Sequence, residues 1–446
     1  MRPLRPSFTR LALASAAAFA LALPAAVQAQ SLSELYQAAR AYDATYLAVR
    51  AQAESAEYQV AQTRALNRPA AALNASATGS DYRPERVERG TYNTATASID
   101  ASMPIFNRAN SVAIAQAERS LASSQAALEA AEQDLIVRVA QAYFDVLAAQ
   151  DALGTTRASK TAITEQLASA KRNFEVGTAT ITDTREAQAR YDLVLAEEIA
   201  AENLLRTRRT ALDTLVGRLG TDPKPLAAPV LLPEPRPADP EQLVRGAEGS
   251  HPTVRRAQVA FDIARLETER ARAGHLPTLD LVASAERQRI GGSSIAISSS
   301  SGSTNTYSMG VQFKLPLYTG NSVQNRVRET LLLEESARND LESARRNVAL
   351  NARTALFAVQ SGIAQVKAYE AAEASSKLSL EATQLGYRVG VRVNLDVLDA
   401  QTQLYATQRD LARARYDVLV NTLKLRQAAG ELGPTDVESV NALLAR

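Results

Sequence analysis

Two stretches of this chain alternate strictly between apolar and polar positions. Ala95, Ala97, Ile99, Ala101 and Met103 are interleaved with Thr94, Thr96, Ser98, Asp100 and Ser102. Tyr307, Met309, Val311, Phe313 and Leu315 are interleaved with Ser308, Gly310, Gln312 and Lys314. Period two is the pattern of a strand with one apolar face. Leu279, Leu281, Ala283 and Ala285 predict a third strand, and Ala71, Leu73, Ala75 and Ala77 a weaker fourth. Polar stretches at 80–91 and 291–306 separate the members of each pair, the second rich in Gly and Ser. The strands thus form two hairpins, at about 70–104 and 278–316, with Met103-Pro104 and Leu315-Pro316 marking the ends of the second strands.

Helical sequence follows each hairpin, from about Asn110 to Phe174 and from about Asn321 to Tyr387. Neither run contains proline, and glycine is rare: Gly154 in the first, Gly362 and Gly386 in the second. A helix of about 65 residues reaches roughly 100 Å at 1.5 Å per residue. Such a helix must lay its stripe against neighbours, so coiled-coil packing is expected. Alanines such as Ala127, Ala130 and Ala131 suit close approach. Each run meets a Val-Gly pair, Val176-Gly177 or Val389-Gly390, where glycine frees the backbone for a turn. Second helices follow, at about 183–216 and 396–429.

The turns are near-copies, 213 positions apart. Val176-Gly177 leads to Asp183 and Glu186-Ala187-Gln188, and Val389-Gly390 leads to Asp396 and Asp399-Ala400-Gln401. Arg-Ala-Leu-Asn-Arg-Pro at 64–69 and Arg-Ala-Gly-His-Leu-Pro at 272–277 mark matching joints where a helix stops before proline. The chain therefore divides into repeat 1 at 30–217, a linker at 218–240, repeat 2 at 241–429 and a short tail at 430–446. The linker holds seven of the seventeen prolines and should be stiff and extended. Self-similarity on this scale decides the fold.

The first 29 residues are read as a secretory signal peptide. Arg2, Arg5 and Arg10 precede an apolar run from Leu11 to Leu23, and Val27-Gln28-Ala29 fits a cleavage site. Removing those arginines takes the formal charge from +2 to −1, which gives no indication of nucleic-acid binding. The chain has no cysteine, hence no disulfide and no lipidated thiol. His251 and His275 are the only histidines and lie outside any metal-ligand spacing. No nucleophile elbow or phosphate-binding loop is present, so neither an enzyme nor a cofactor is expected.

After the signal no apolar run is long enough for a membrane-spanning helix, so any span must be a closed barrel. Four strands cannot close one, since outer-membrane barrels begin at eight. Several chains sharing one barrel is the economical solution. A small sheet packed on the helices of a monomer is the alternative.

The whole mature part resembles the TolC family of outer-membrane channels. The most specific stretch is Tyr387-Arg388-Val389-Gly390-Val391-Arg392-Val393-Asn394-Leu395-Asp396-Val397-Leu398-Asp399-Ala400-Gln401. The resemblance implies a mainly α fold with β: a homotrimer whose chains each give four strands to a twelve-stranded barrel in outer-membrane lipid. It also implies an α-helical tunnel through the periplasm, girdled by a belt that includes the linker. The implied function is a passive exit duct for efflux or type I secretion. A periplasmic adaptor would dock at the tip turns, Val176, Gly177, Val389 and Gly390, and an ABC or RND transporter would stand in the inner membrane. Asp396 and Asp399, three apart at a helix start and so on one face, would form an acidic ring at the entrance. Tyr387 and Arg392 would link the second helix pair to Thr182 and Asp183 of the first. The resemblance sets Glu186 nearer the outer pair. A soluble periplasmic coiled-coil adaptor or scaffold is the competing reading, and it leaves the two hairpins unexplained.

Overall fold

The computed structural model describes residues 29–82, 90–227, 229–230, 232, 239–292 and 302–445. Residues 1–28 of the expected signal peptide, the hairpin tips at 83–89 and 293–301, and much of the proline-rich linker lie outside these.

The described chain is mainly helical with one small sheet. Two helices, α1 (Leu32–Tyr42) and α2 (Ala44–Arg64), precede β1 (Ala70–Tyr82) and β2 (Gly90–Phe106). The 68-residue α3 (Arg108–Glu175) and the 36-residue α4 (Ile181–Val216) complete the first half. The second half repeats the order: α5 (Pro240–Ser250), α6 (Pro252–Arg272), β3 (Thr278–Gly292), β4 (Gly302–Lys314), α7 (Ser322–Arg388) and α8 (Asn394–Ala428). The helix expected ahead of each hairpin is broken once. Asp43 caps α2 by accepting from Tyr46 N at 2.7 Å, and His251 caps α6 by accepting from Thr253 N at 3.1 Å.

All four strands pair antiparallel in the order β1-β2-β3-β4. The register aligns the apolar positions into rungs. Leu73, Ile99, Ala285 and Tyr307 form one, and Ala71, Ala101, Ala283 and Met309 the next. The other face carries Asn74, Ser98, Glu286 and Thr306. No helix covers the apolar face: Leu73, Tyr307 and Met309 keep 74 to 78% of their surface exposed. This excludes the monomeric packed sheet. β2 runs past Met103-Pro104 to Phe106, with an irregularity there. β1 pairs no further than Ser102, so the donor that proline lacks has no partner to lose on that side. β4, by contrast, ends at Lys314 before Pro316.

Contacts place the helices side by side about α3, with α4 and α8 also meeting near the tip turns through Arg190–Asp399. α2 and α4 lie end to end along one flank of α3, through Arg64–Glu118 and Asp43–Arg138 above and Arg157–Glu198 below. α6 and α8 stack the same way on the other flank, through Arg255–Glu129 and Tyr416–Asp151. α7 packs beyond them, with Arg326–Glu267 and Arg415–Glu370 across the seam. No helix among the described residues is long and apolar enough to cross a membrane.

The main core sits at mid-height. Leu32, Leu35 and Tyr36 of α1 pack on Leu135, Val139, Tyr143 and Phe144 of α3, with Leu419 and Leu423 of α8. Residues after Gly430 are more than the expected tail. They fold as α9 (Pro434–Asn441), because Val437, Val440 and Leu444 bury themselves in this core. Leu226, in the linker, bridges to Leu444, and Tyr143 Oη donates to Lys224 O at 2.8 Å. A second core joins α5 to α7 and α8 through Leu243, Val244, Val348, Leu356 and Leu425.

Candidate functional site

The far end of the helices, opposite the sheet, carries both Val-Gly turns. Each closes alike. Thr178 N and Ala179 N donate to Asn173 O at 2.8 and 3.2 Å, and Val391 N and Arg392 N donate to Gly386 O at 2.9 and 3.2 Å. Gly177 and Gly390 both adopt φ of +80°, with open space where a Cβ would stand. Glycine is needed there for left-handed backbone, not for room. Gly386 is the opposite case: a Cβ would lie 2.7 Å from Arg392 Cγ. Val176, Val389 and Val391 project from the turns at 65 to 76% exposure.

The helices after the turns start differently. Thr180 Oγ1 accepts from Asp183 N at 3.2 Å, and Thr180 N donates back to Asp183 Oδ2 at 2.9 Å, a reciprocal capping box. Thr182 Oγ1 lies 2.7 Å from Thr180 Oγ1. In the second copy Val393 stands where Thr180 did and offers no hydroxyl, while Val393 N donates to Asp396 Oδ2 at 3.3 Å. Asp183 and Asp396 are thus both occupied in part by starting a helix.

Tyr387 and Arg392 do not reach Thr182 or Asp183 within one chain. Tyr387 Oη accepts from Asn173 Nδ2 at 3.4 Å, and Arg392 pairs with Asp396 at 3.6 Å, one turn away. Asp399 pairs with Arg190 of α4 at 2.5 Å. Both expected ring acids therefore have a guanidinium beside them. Glu186 lies on α4, half-buried.

The polar tie between the two copies runs through a residue to which the sequence reading gave no role. Asn394, the first residue of α8, is fully buried. Its Nδ2 donates to Asp183 O at 3.2 Å, and its Oδ1 accepts from Gln166 Nε2 of α3 at 2.5 Å. Leu398, one turn on, is buried among Ile163, Leu167, Ala170, Ala187 and Val194. The matching residue of the first copy, Ile181, is 48% exposed. The signal was visible as an inversion: Thr180-Ile181 in one copy, Val393-Asn394 in the other. The first copy keeps its polar residue for the cap, and the second moves it inward to the neighbouring helices.

A sequence model of the outer membrane efflux protein family matches residues 35–218 and again 243–431. The chain belongs to that family. Outer membrane protein TolC of Vibrio cholerae serotype O1 is 34% identical over 99% of this chain and 98% of its own length. TolC of Escherichia coli K12 is 32% identical over 94% of this chain and 86% of its own. The alkaline protease secretion protein AprF of Pseudomonas aeruginosa is 31% identical over 82% and 75%. Among solved structures, the outer membrane protein VceC of Vibrio cholerae superposes with a TM-score of 0.76 at 21% identity, covering 90% of this chain and 96% of its own. The MtrE outer membrane channel of Neisseria gonorrhoeae, in its open state, gives 0.72 at 22%, over 91% and 90%. This efflux-family chain is an outer-membrane channel component with a periplasmic extension, and the soluble scaffold reading is set aside. The family is one of transport proteins, and among the described residues no acid or histidine cluster could hold a metal ion.

Proposed function

We propose that this chain forms, as a homotrimer, the passive exit duct of a tripartite efflux or type I secretion system. One observation carries the reading: an open sheet, apolar on one face and unpaired at both edges within the chain, continues into helices about 100 Å long. β1 and β4 each leave a row of backbone groups that an adjoining chain can satisfy, and closure alone removes such edges. Three chains give twelve strands around one lumen. The helical edge asks for the same closure, since Leu332, Leu350, Phe357 and Leu378 of α7 are 55 to 74% exposed. Outer-membrane lipid then covers the Leu73, Ile99, Tyr307 and Met309 face. The test is fractionation: heat-modifiable trimers in outer membranes that conduct in planar bilayers support the duct, and a soluble monomer overturns it.

The Val-Gly turns, two per chain, would meet a periplasmic adaptor at six points, with Val176, Val389 and Val391 as apolar anchors. An inner-membrane ABC or RND transporter would complete the system. Relatives named for secretion and for efflux both match this chain by sequence, so the partner would set the cargo class.

The entrance would be held by Tyr387 and Arg392, engaging Thr182 and Asp183 of an adjoining chain, with Asn394 as the tie inside each chain. Tyr387→Phe combined with Arg392→Glu is expected to raise single-channel conductance; an unchanged value removes those links from the gate. Asp396 and Asp399 from three chains would favour cations at the constriction. Planar-bilayer reversal potentials of D396A/D399A should show weaker cation selectivity, and unchanged selectivity would take the ring out of the mechanism.

A further inference from the structure

The apolar face of the sheet changes character at the end remote from the helices. Along β3 its positions read Leu279, Leu281, Ala283, Ala285, Arg287 and Arg289, since alternate residues of a strand share a face. The register sets Arg287 beside Ala97 and Asn305, and Arg289 beside Ala95 and Ser303. Both arginines are exposed. Neither makes an ion pair or a side-chain hydrogen bond with another described residue. Asp100, Asp280 and Glu286 lie on the opposite side, together with Lys314. The one acid among the described residues on the arginine side is Asp81, at the rim of β1 and two strands away.

Height gives the pair its meaning. From Met103 to Ala95 on β2 and from Phe313 to Tyr307 on β4, the face is apolar over roughly 20–27 Å of strand. With the strand tilt of about 35–45° that is roughly 14–22 Å of height, most of the apolar band of about 25 Å on outer-membrane barrels. The arginines begin where the apolar run of β3 and β4 ends, with Ala97 and Ala95 of β2 still alongside them. An arginine facing lipid costs about 2–4 kcal/mol at the midplane and about 0–1 kcal/mol at the interface. Two guanidinium forks without a partner among the described residues, two residues apart on one strand, suit phosphate oxygens, which they can engage bidentately.

We propose that Arg287 and Arg289 form a phosphate clamp for the anionic headgroups of the outer leaflet. The clamp rests on the barrel reading, because closure by three chains sets three such arginine pairs around the lipid face. The occupant is lipid rather than free anion, because the pair continues the face that lipid covers.

The full-length protein is reconstituted in phosphatidylcholine vesicles, with or without phosphatidylglycerol, and the temperature of trimer dissociation is read on gels. Wild type is expected to gain several degrees from phosphatidylglycerol. R287Q/R289Q should lose more than half of that gain, and R287K/R289K should keep an intermediate part, since a lysine lacks the fork. An equal gain in R287Q/R289Q, or none in wild type, overturns the clamp. If inorganic phosphate added to phosphatidylcholine vesicles reproduces the gain, the lipid assignment is overturned. Single-channel conductance of the same samples separates the two readings. Absence of trimer and conductance sinks the duct, whereas normal conductance with an arginine-independent gain sinks the clamp alone.

Discussion

At the residue scale, Asn394 is the most consequential side chain at the entrance. A buried amide that satisfies both its donor and its acceptor across two helices fixes one arrangement, and removing it takes the partner from the half-buried Gln166. Asn394→Leu is expected to loosen the second helix pair and raise closed-state conductance in planar bilayers. Wild-type conductance in that variant would show that Leu398 and its neighbours suffice to hold the tip. Arg190 tests the pairing of the ring acids. An exposed ion pair contributes only about 0.2–1 kcal/mol, so Arg190→Ala should leave stability near wild type while freeing the Asp399 charge. Cation selectivity should then rise; an unchanged value would place Arg190 outside the electrostatics of the pore.

At the scale of elements, the breaks between helices carry the strain and the charge. Asp43 starts α2 and also takes two bonds from Arg138 of α3, at 2.9 and 3.1 Å. The guanidinium is the main influence holding its carboxyl below the usual carboxylate range. The sign follows from linkage. A depressed folded value stabilises fully above the ordinary value of about 3.9, and that contribution is lost as pH falls through the folded value. Asp43→Asn should cost about 2 kcal/mol at neutral pH and flatten the acid limb of the stability curve. An acid limb unchanged from wild type would show the pair to be inert. At the other end, Gly390→Ala forces an L-residue into left-handed backbone at a cost of about 1–2 kcal/mol. Its Cβ meets open space, so thermal unfolding should report that strain alone.

For the whole molecule, the sheet cannot be finished by one chain. Met309 lies midway along the edge strand β4 on the exposed apolar face, and Ser308 lies on the polar one. A lysine facing lipid near the midplane costs about 2–4 kcal/mol, whereas a lumen position meets water. Met309→Lys should sharply reduce heat-modifiable trimer in outer membranes, and Ser308→Lys should leave it largely intact while shifting ion selectivity. Equal trimer yields from the two variants would mean that the faces are reversed or the barrel is absent.

Much of this was legible in the sequence because it rests on local periodicity and local chemistry. Period two in the strands, long proline-free runs, and glycine where φ must be positive are properties of neighbouring residues, and they determined the elements and their repetition. The break at His251 could be read from Pro252 in the same way. Long-range packing was not written locally. Nothing near Gly430 announced that Val437 and Leu444 would complete a core with α1, nor that Pro104 would sit beyond the reach of β1. The entrance divides along the same line. Its Val-Gly turns and first-turn acids were determined by the sequence, since caps and turns close within a few residues. The partners of those acids, Arg190 and Arg392, and the burial of Asn394 against Gln166 were decided only by the tertiary structure, because they depend on which helices lie side by side.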